Sequence, residues 1–180
     1  GATAAYTCST GYTKSGSDAV CMSGGSWSAA PTCTADVAWC SAAPSVTNAG
    51  TPTVSGGVGG TTTPSYLATA TYTCNGGYAF SAGSTSTCQA SHAWSTSPTC
   101  AAVSNYCGAP PSVTNSASTS VAGGAAGGST NSVGATATFT GTAASALSAG
   151  PTSPSLPDGP PTAAPTCAAV SNYCGAPPSV

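Results

Sequence analysis

The sequence predicts an all-β protein, a string of small modules that disulfides staple into an elongated rod. Three observations carry that reading. With 23 Gly and 15 Pro in 180 residues there is little room for long helices, since both residue types break the helical hydrogen-bond ladder and favour short strands joined by turns. Ten cysteines at regular spacing, with no C-x-x-C pair and a single His, read as disulfides of an oxidising compartment rather than as metal ligands. Their spacing is also periodic: Cys33, Cys100 and Cys167 are 67 residues apart, as are Cys40, Cys107 and Cys174, and Cys21 to Cys88 and Trp27 to Trp94 repeat the step. A constant step of this size means separate small modules in a row, each with its own core.

The fullest statement of the pattern is Tyr72–Cys100, YTCNGGYAFSAGSTSTCQASHAWSTSPTC. It occurs earlier, one residue shorter, as Tyr6–Cys33, where Cys8, Gly11, Tyr12, Gly16, Cys21, Trp27, Pro31 and Cys33 fall at matching places. Residues 1–33 are therefore the second half of a module, and Thr34–Trp39 is a connector. Residues 40–100 form a complete module that opens with CSAAPSVTN. Thr51–Thr63, rich in Gly and Thr, reads as loop, and Tyr66–Cys74 alternates large and small side chains as a half-buried strand does. Gly76-Gly77 marks a turn, with further short strands expected at 78–81 and 84–88 around a turn at Ala82-Gly83.

A second connector, Ala101–Tyr106, leads to residues 107–167, a degenerate module, and a third, Ala168–Tyr173, leads to the start of a further module at 174–180. In the degenerate copy Phe139 stands where Tyr72 is, Gly141 where Cys74 is, Ser155 where Cys88 is and Pro161 where Trp94 is. Ser116–Pro165 reads as low-complexity filler, whereas PTCAAVSNYCGAPPSV occurs at 98–113 and again at 165–180. Connectors this short do not behave as flexible coil, so neighbouring modules are expected to touch and stiffen the string. The sequence is expected to be an internal piece of a mature secreted protein, and it has no apolar run long enough to span a bilayer.

Charge is scarce. Only Lys14, Asp18, Asp36, His92 and Asp158 are ionisable near neutrality, which argues against general acid/base chemistry, phosphate clamping and nucleic-acid binding. His92 has Gly25 as its counterpart in the first copy and reads as an ordinary surface histidine; Lys14 and the aspartates read as solvated charges. One His and three scattered Asp cannot complete a calcium or zinc shell, so neither metal nor cofactor is expected. VSGGVGG and VAGGAAGG lack the Lys and helix that a phosphate-cradling loop needs. A net charge of −2 leaves the surface short of hydration. No Asn starts an N-x-Ser/Thr acceptor, so the 58 Ser and Thr, dense beside Pro as in Thr61-Thr62-Thr63-Pro64, point to O-linked glycans.

The order Cys, Pro, long loop, Tyr-x-Cys, x-x-Gly-Tyr, Gly, Cys, Trp, Pro-x-Cys resembles the sushi module, also called the complement control protein module. The resemblance covers residues 1–113 and 165–180 and fades over 114–164. It implies a small elongated antiparallel β module with first-to-third and second-to-fourth disulfides: Cys40 with Cys88, Cys74 with Cys100, and Cys8 with Cys33. Cys21, Cys107, Cys167 and Cys174 are left over, with Cys107 and Cys167 facing Ser155 and Gly141. Modules of about 60 residues bury too little apolar area to hold without staples, and each disulfide is worth about 3 to 4 kcal/mol in the chain-entropy model. Tyr72 and Trp94 are expected in the module core, with Tyr6, Trp27 and Phe139 as their counterparts. Trp39, Tyr106 and Tyr173 precede the opening cysteines and are expected to pack between modules.

The expected function is structural: the backbone of an extracellular, O-glycosylated fibre or surface appendage whose copies join end to end, with no catalytic role. Cys21 and Cys174 are the candidates for a disulfide between units, a pairing that leaves about twenty residues equivalent to 47–66 unaccounted for between them. The alternative is the adhesion or ligand-binding ectodomain of a sushi-repeat receptor or a complement-regulator-like protein. Either is expected outside the cell, secreted or at the cell surface, without a membrane span.

Overall fold

The structure, a computed structural model, describes residues 1–60, 62–142, 145–147, 152–154 and 167–169. No helix occurs among the described residues. The strands are β1 (Thr3–Ala4), β2 (Tyr12–Ser15), β3 (Ala19–Val20), β4 (Thr32–Ala35), β5 (Thr53–Gly56), β6 (Ala68–Thr71), β7 (Tyr78–Phe80), β8 (Thr85–Thr87), β9 (Cys100–Ala102), β10 (Ser116–Ala122), β11 (Thr136–Gly141), β12 (Ser145–Leu147), β13 (Thr152–Pro154) and β14 (Cys167–Ala169). They form small sheets: β1-β3, β2-β4, β5-β6-β8, β7-β9, β10-β11-β13 and β12-β14.

The sequence period is also a period of backbone pairing. In β6-β8, Thr69 faces Thr87 and Ala70 faces Ser86; in β11-β13, Thr136 faces Pro154 and Ala137 faces Ser153. In the shorter first copy, Thr3 faces Val20 and Ala4 faces Ala19. Val54 opposite Ala70 recurs as Val121 opposite Ala137, and the isolated bridge Cys88 to Trp94 recurs as Cys21 to Trp27. The register survives in β10-β11-β13 although Gly141 and Ser155 stand in cysteine positions.

β6 explains how so small a module closes. Ala68 and Ala70 point inward and are fully buried, while the β-branched Thr69 and Thr71 occupy the other face of the pleat. Their small side chains leave room for sulfur: Cys40, Ala68 and Cys88 form the core cluster, and Trp39, Val54 and Trp94 pack against it. Disulfides join Cys40 to Cys88, Cys74 to Cys100 and Cys8 to Cys33 across 48, 26 and 25 residues.

Two segments differ from the sequence reading. The Gly/Thr-rich stretch expected as loop contains β5, and the stretch expected as filler contains β10 and β11, the former seven residues long. Strands made of Ser, Thr, Ala and Gly carry almost no hydrophobic contrast between their faces, so alternation is invisible in the letters. Pairing to the Ala-Thr strand beside them is what defines them.

The chain divides into two compact units, Gly1–Cys74 with Phe80–Cys100, and Asn75–Ala79 with Ala101–Val180. In the second, Ser132, Val133, Ala135, Ala137 and Phe139 are buried, the counterparts of Ser65, Tyr66, Ala68, Ala70 and Tyr72 in the first.

Candidate functional site

Three regions concentrate the specific interactions: the contact between residues 1–33 and the module that follows, its counterpart in the second unit, and the face of residues 1–33 built by Tyr6, Cys21 and Trp27.

The first starts from a turn. Tyr12 N–H donates to the Ser9 carbonyl at 3.1 Å, which places Gly11 at a φ of 87° in the left-handed region. The Gly11 carbonyl accepts the Asp36 N–H at 2.8 Å, and a Cβ on Gly11 would lie 2.7 Å from Tyr66 Cβ and 2.9 Å from Val58 Cγ2. Only glycine permits both the dihedral and the approach. Asp36 was expected as a solvated charge, yet its Oδ1 accepts the Ala38 N–H at 2.9 Å and so bends the connector toward Trp39.

Trp39 then locks onto the module that it precedes. Its ring stacks on His92 at 3.9 Å and lies tilted against Tyr66 at 6.0 Å, and its Nε1–H donates to the Gln89 carbonyl at 2.9 Å. His92 Nδ1 is 3.0 Å from the Trp39 carbonyl oxygen. His92 is exposed as expected, but it belongs to this aromatic stack. Trp39 thus makes its ring contacts within residues 39–100, and Tyr66 hands the contact on to Gly11. Tyr106 is partly exposed, and Tyr173 lies outside the described residues.

The second unit repeats the turn contact in its own residues. Gly77 has a φ of 82°, its carbonyl accepts the Val103 N–H at 2.9 Å, and a Cβ on it would lie 2.5 Å from Val133 Cβ.

The third region holds the largest departure from the sequence reading. In the complete module Tyr72 is 2% exposed and its hydroxyl donates to the Pro44 carbonyl at 3.0 Å; Trp94 is half-buried and its Nε1–H donates to the Ser41 carbonyl at 2.9 Å. Tyr6 and Trp27, expected as core residues, are instead 44% and 53% exposed. The reason is local. Residues 40–44 supply the cover for Tyr72 and Trp94, and no described segment does the same for Tyr6 and Trp27. Likewise, among the described residues, β1 pairs with β3 alone, where β6 is flanked by β5 and β8, and Cys21 is a free thiol where Cys88 is bonded to Cys40. Cys107 is also a free thiol, while Cys174 lies outside the described residues.

Lys14 and Asp18, expected as solvated charges, clamp the backbone of Tyr6. Lys14 Nζ lies 2.5 Å from Asp18 Oδ1 and donates to the Tyr6 carbonyl at 3.1 Å, and Asp18 Oδ1 accepts the Tyr6 N–H at 3.0 Å. The Lys14 hydrogen bond first, and the Tyr6 amide second, hold the Asp18 carboxyl below its ordinary value of 3.8.

No group of three His, Cys, Asp or Glu close enough to hold a metal occurs among the described residues. No helix there is long and apolar enough to cross a membrane. A shallow groove of about 290 Å³ is lined by Ala42, Ala43, Thr51, Pro52, Val54 and Pro64, without an ionisable side chain.

A family model described as Sushi repeat (SCR repeat) matches residues 1–33 and 40–100. No curated protein matches the chain.

Proposed function

This chain belongs to the Sushi repeat family, whose disulfide-bonded modules are typical of extracellular repeat proteins, and from that premise we propose that it is the structural backbone of an extracellular fibre or surface appendage. The observation that carries the reading is the turn contact at Gly11, made again with the same hydrogen bond and the same close approach at Gly77. A glycine contact that recurs one period further on is a joint that can be copied, and in this reading it stiffens a string of modules that six-residue connectors already hold short. In this reading the modules form a rod, copies join end to end through Cys21 and Cys174, and O-linked glycans on the abundant Ser and Thr hydrate a surface nearly devoid of charge. Residues 107–167 serve as a degenerate module of the same kind. No residue is assigned a catalytic role.

Negative-stain imaging with intact-mass analysis tests this. Long uniform particles whose subunits exceed the 16.7 kDa of the polypeptide are expected. Short free particles of bare polypeptide mass would overturn the reading.

The uncharged groove around Val54 favours a second reading, the ligand-binding or adhesion ectodomain. A saturable partner whose binding is lost in Ala42→Asp, an exposed position of the groove, with the fold intact, would put it ahead of the fibre.

A further inference from the structure

We infer that the outward face of the β5-β6-β8 sheet is an O-glycosylation site, where a row of hydroxyls from Thr53, Thr71 and Thr85 carries short neutral sugars. The inference rests on the glycosylated-fibre reading and says where the sugar sits. Thr71 stands opposite Thr53 on one side and opposite Thr85 on the other, and directly opposed residues share a face of the sheet. Val54, Ala70 and Ser86 form the inward row: Ala70 and Ser86 are buried, and Val54 packs on the core cluster. Thr53, Thr71 and Thr85 are all exposed, whereas Thr69 and Thr87 in the neighbouring outward row are half-buried.

Hydrogen bonding separates this row from the buried hydroxyls. Those are engaged within the fold: Ser86 Oγ donates to the Ser95 carbonyl at 2.7 Å, Ser65 Oγ accepts the Gly59 N–H at 3.3 Å, and Ser132 Oγ accepts the Ala126 N–H at 3.0 Å. None of Thr53, Thr71 and Thr85 has a side-chain hydrogen bond among the described residues.

The second unit keeps the row and loses its neighbour. One period on, Ser120 stands opposite Thr138 and Thr138 opposite Thr152, so each position retains a hydroxyl even where Thr has become Ser. Ser120 and Thr138 are exposed as well. The neighbouring row, Ser55, Thr69 and Thr87, becomes Ala122, Thr136 and Pro154. This copy has Gly141 and Ser155 in cysteine positions and Pro161 in a tryptophan position, so it holds the exposed hydroxyls while giving up residues that close a module.

Geometry sets the class of sugar. Neighbouring strands lie about 4.8 Å apart, which leaves room at each hydroxyl for a short unbranched sugar and brings adjacent sugars into contact. Charged sugars at that spacing would repel one another, and the row holds no cation to offset them. The donor is a nucleotide-activated sugar, and the catalyst a glycosyltransferase separate from this chain. The threonine Oγ attacks the anomeric carbon and the bond from that carbon to the phosphate oxygen breaks. The nucleoside diphosphate leaves with the electron pair, and the hydroxyl proton passes to a base of the transferase.

The test maps glycans on the native chain by electron-transfer mass spectrometry. Short neutral sugar increments are expected on Thr53, Thr71, Thr85, Ser120 and Thr138, with Ser65, Ser86 and Ser132 bare. A bare row, acidic sugars on it, or sugar confined to the Thr61-Thr62-Thr63 run would each overturn the inference. Val keeps the shape and strand preference of Thr without the hydroxyl. Made in the cells that produce the native chain, Thr71→Val is therefore expected to lose the mass of one glycan, and Thr69→Val in the half-buried row none. Equal losses from the two would overturn the site. Thr53→Val, on an edge strand, repeats the readout if Thr71→Val fails to form its disulfides. A bare row in long particles would remove this inference and leave the fibre reading, whereas a glycosylated row on short free particles would do the reverse.

Discussion

A methyl group on Gly11 would come to 2.7 Å from the Cβ of Tyr66, closer than real Cβ atoms approach one another. The relationship joins a turn in residues 1–33 to the module beyond the connector, and the Asp36 N–H to Gly11 carbonyl bond at 2.8 Å seals it.

Gly11→Ala is accordingly expected to destabilise this contact by about 1 to 3 kcal/mol, combining a left-handed φ on a residue with a Cβ and a neighbour whose backbone must shift. Hydrogen exchange at the Asp36 amide reads the effect directly and should speed up by about tenfold or more. Gly24 has open space around it and an ordinary φ, so Gly24→Ala should stay within about 0.5 kcal/mol of the parent. Equal effects from the two substitutions would refute the joint.

Removing the bond between Cys40 and Cys88 by a double change to Ala should cost about 3 to 4 kcal/mol, because it frees a 48-residue loop in the unfolded chain and opens the cluster beneath Trp39 and Trp94. Denaturant unfolding followed by tryptophan fluorescence measures it. A loss below about 1 kcal/mol would mean that apolar packing, not sulfur, holds the module.

Tyr72→Phe should cost about 0.5 to 1.5 kcal/mol, the net value of its hydrogen bond to Pro44. The aromatic body itself is not at issue, since Phe139 occupies the equivalent place in the second unit and is 1% exposed there. A cost of the size seen on truncating a core ring would contradict this account.

The Asp18 carboxyl is expected to titrate below 3.8, with Lys14→Met moving the midpoint up toward that value. A carboxylate whose pKa is depressed by folding stabilises above the unfolded value, and the contribution fades as pH falls below 3.8 through the folded value. The stability difference between the parent and Asp18→Asn should therefore be present at neutral pH and vanish in acid. NMR titration of the carboxyl carbon, paired with unfolding at several pH values, measures both.

How far the letters reach depends on the residue. Cys, Trp, Tyr-x-Cys and Gly-Tyr carry their spacing openly, and the all-β class with its 67-residue step was legible from them. β5 and β10 were not, since a strand of Ser, Thr and Gly has two nearly identical faces. Asp36 and His92 have no motif around them, and their partners, the Ala38 amide and the Trp39 ring and carbonyl, are set by how the connector turns.

Tyr6 and Trp27 mark where the two sources of information part. Their sequence positions match Tyr72 and Trp94, and position alone predicts burial. Burial, however, belongs to a pair of surfaces: residues 40–44 cover one set of rings, and nothing among the described residues covers the other. Composition and spacing by themselves determined that this is a disulfide-stapled β repeat, because cysteine interval and glycine turns are local properties of the chain. Which aromatic is core and which glycine is a joint were decided only in three dimensions, because each depends on a partner that lies distant in sequence, whereas the free thiols at Cys21 and Cys107 were already among the cysteines the pairing left over.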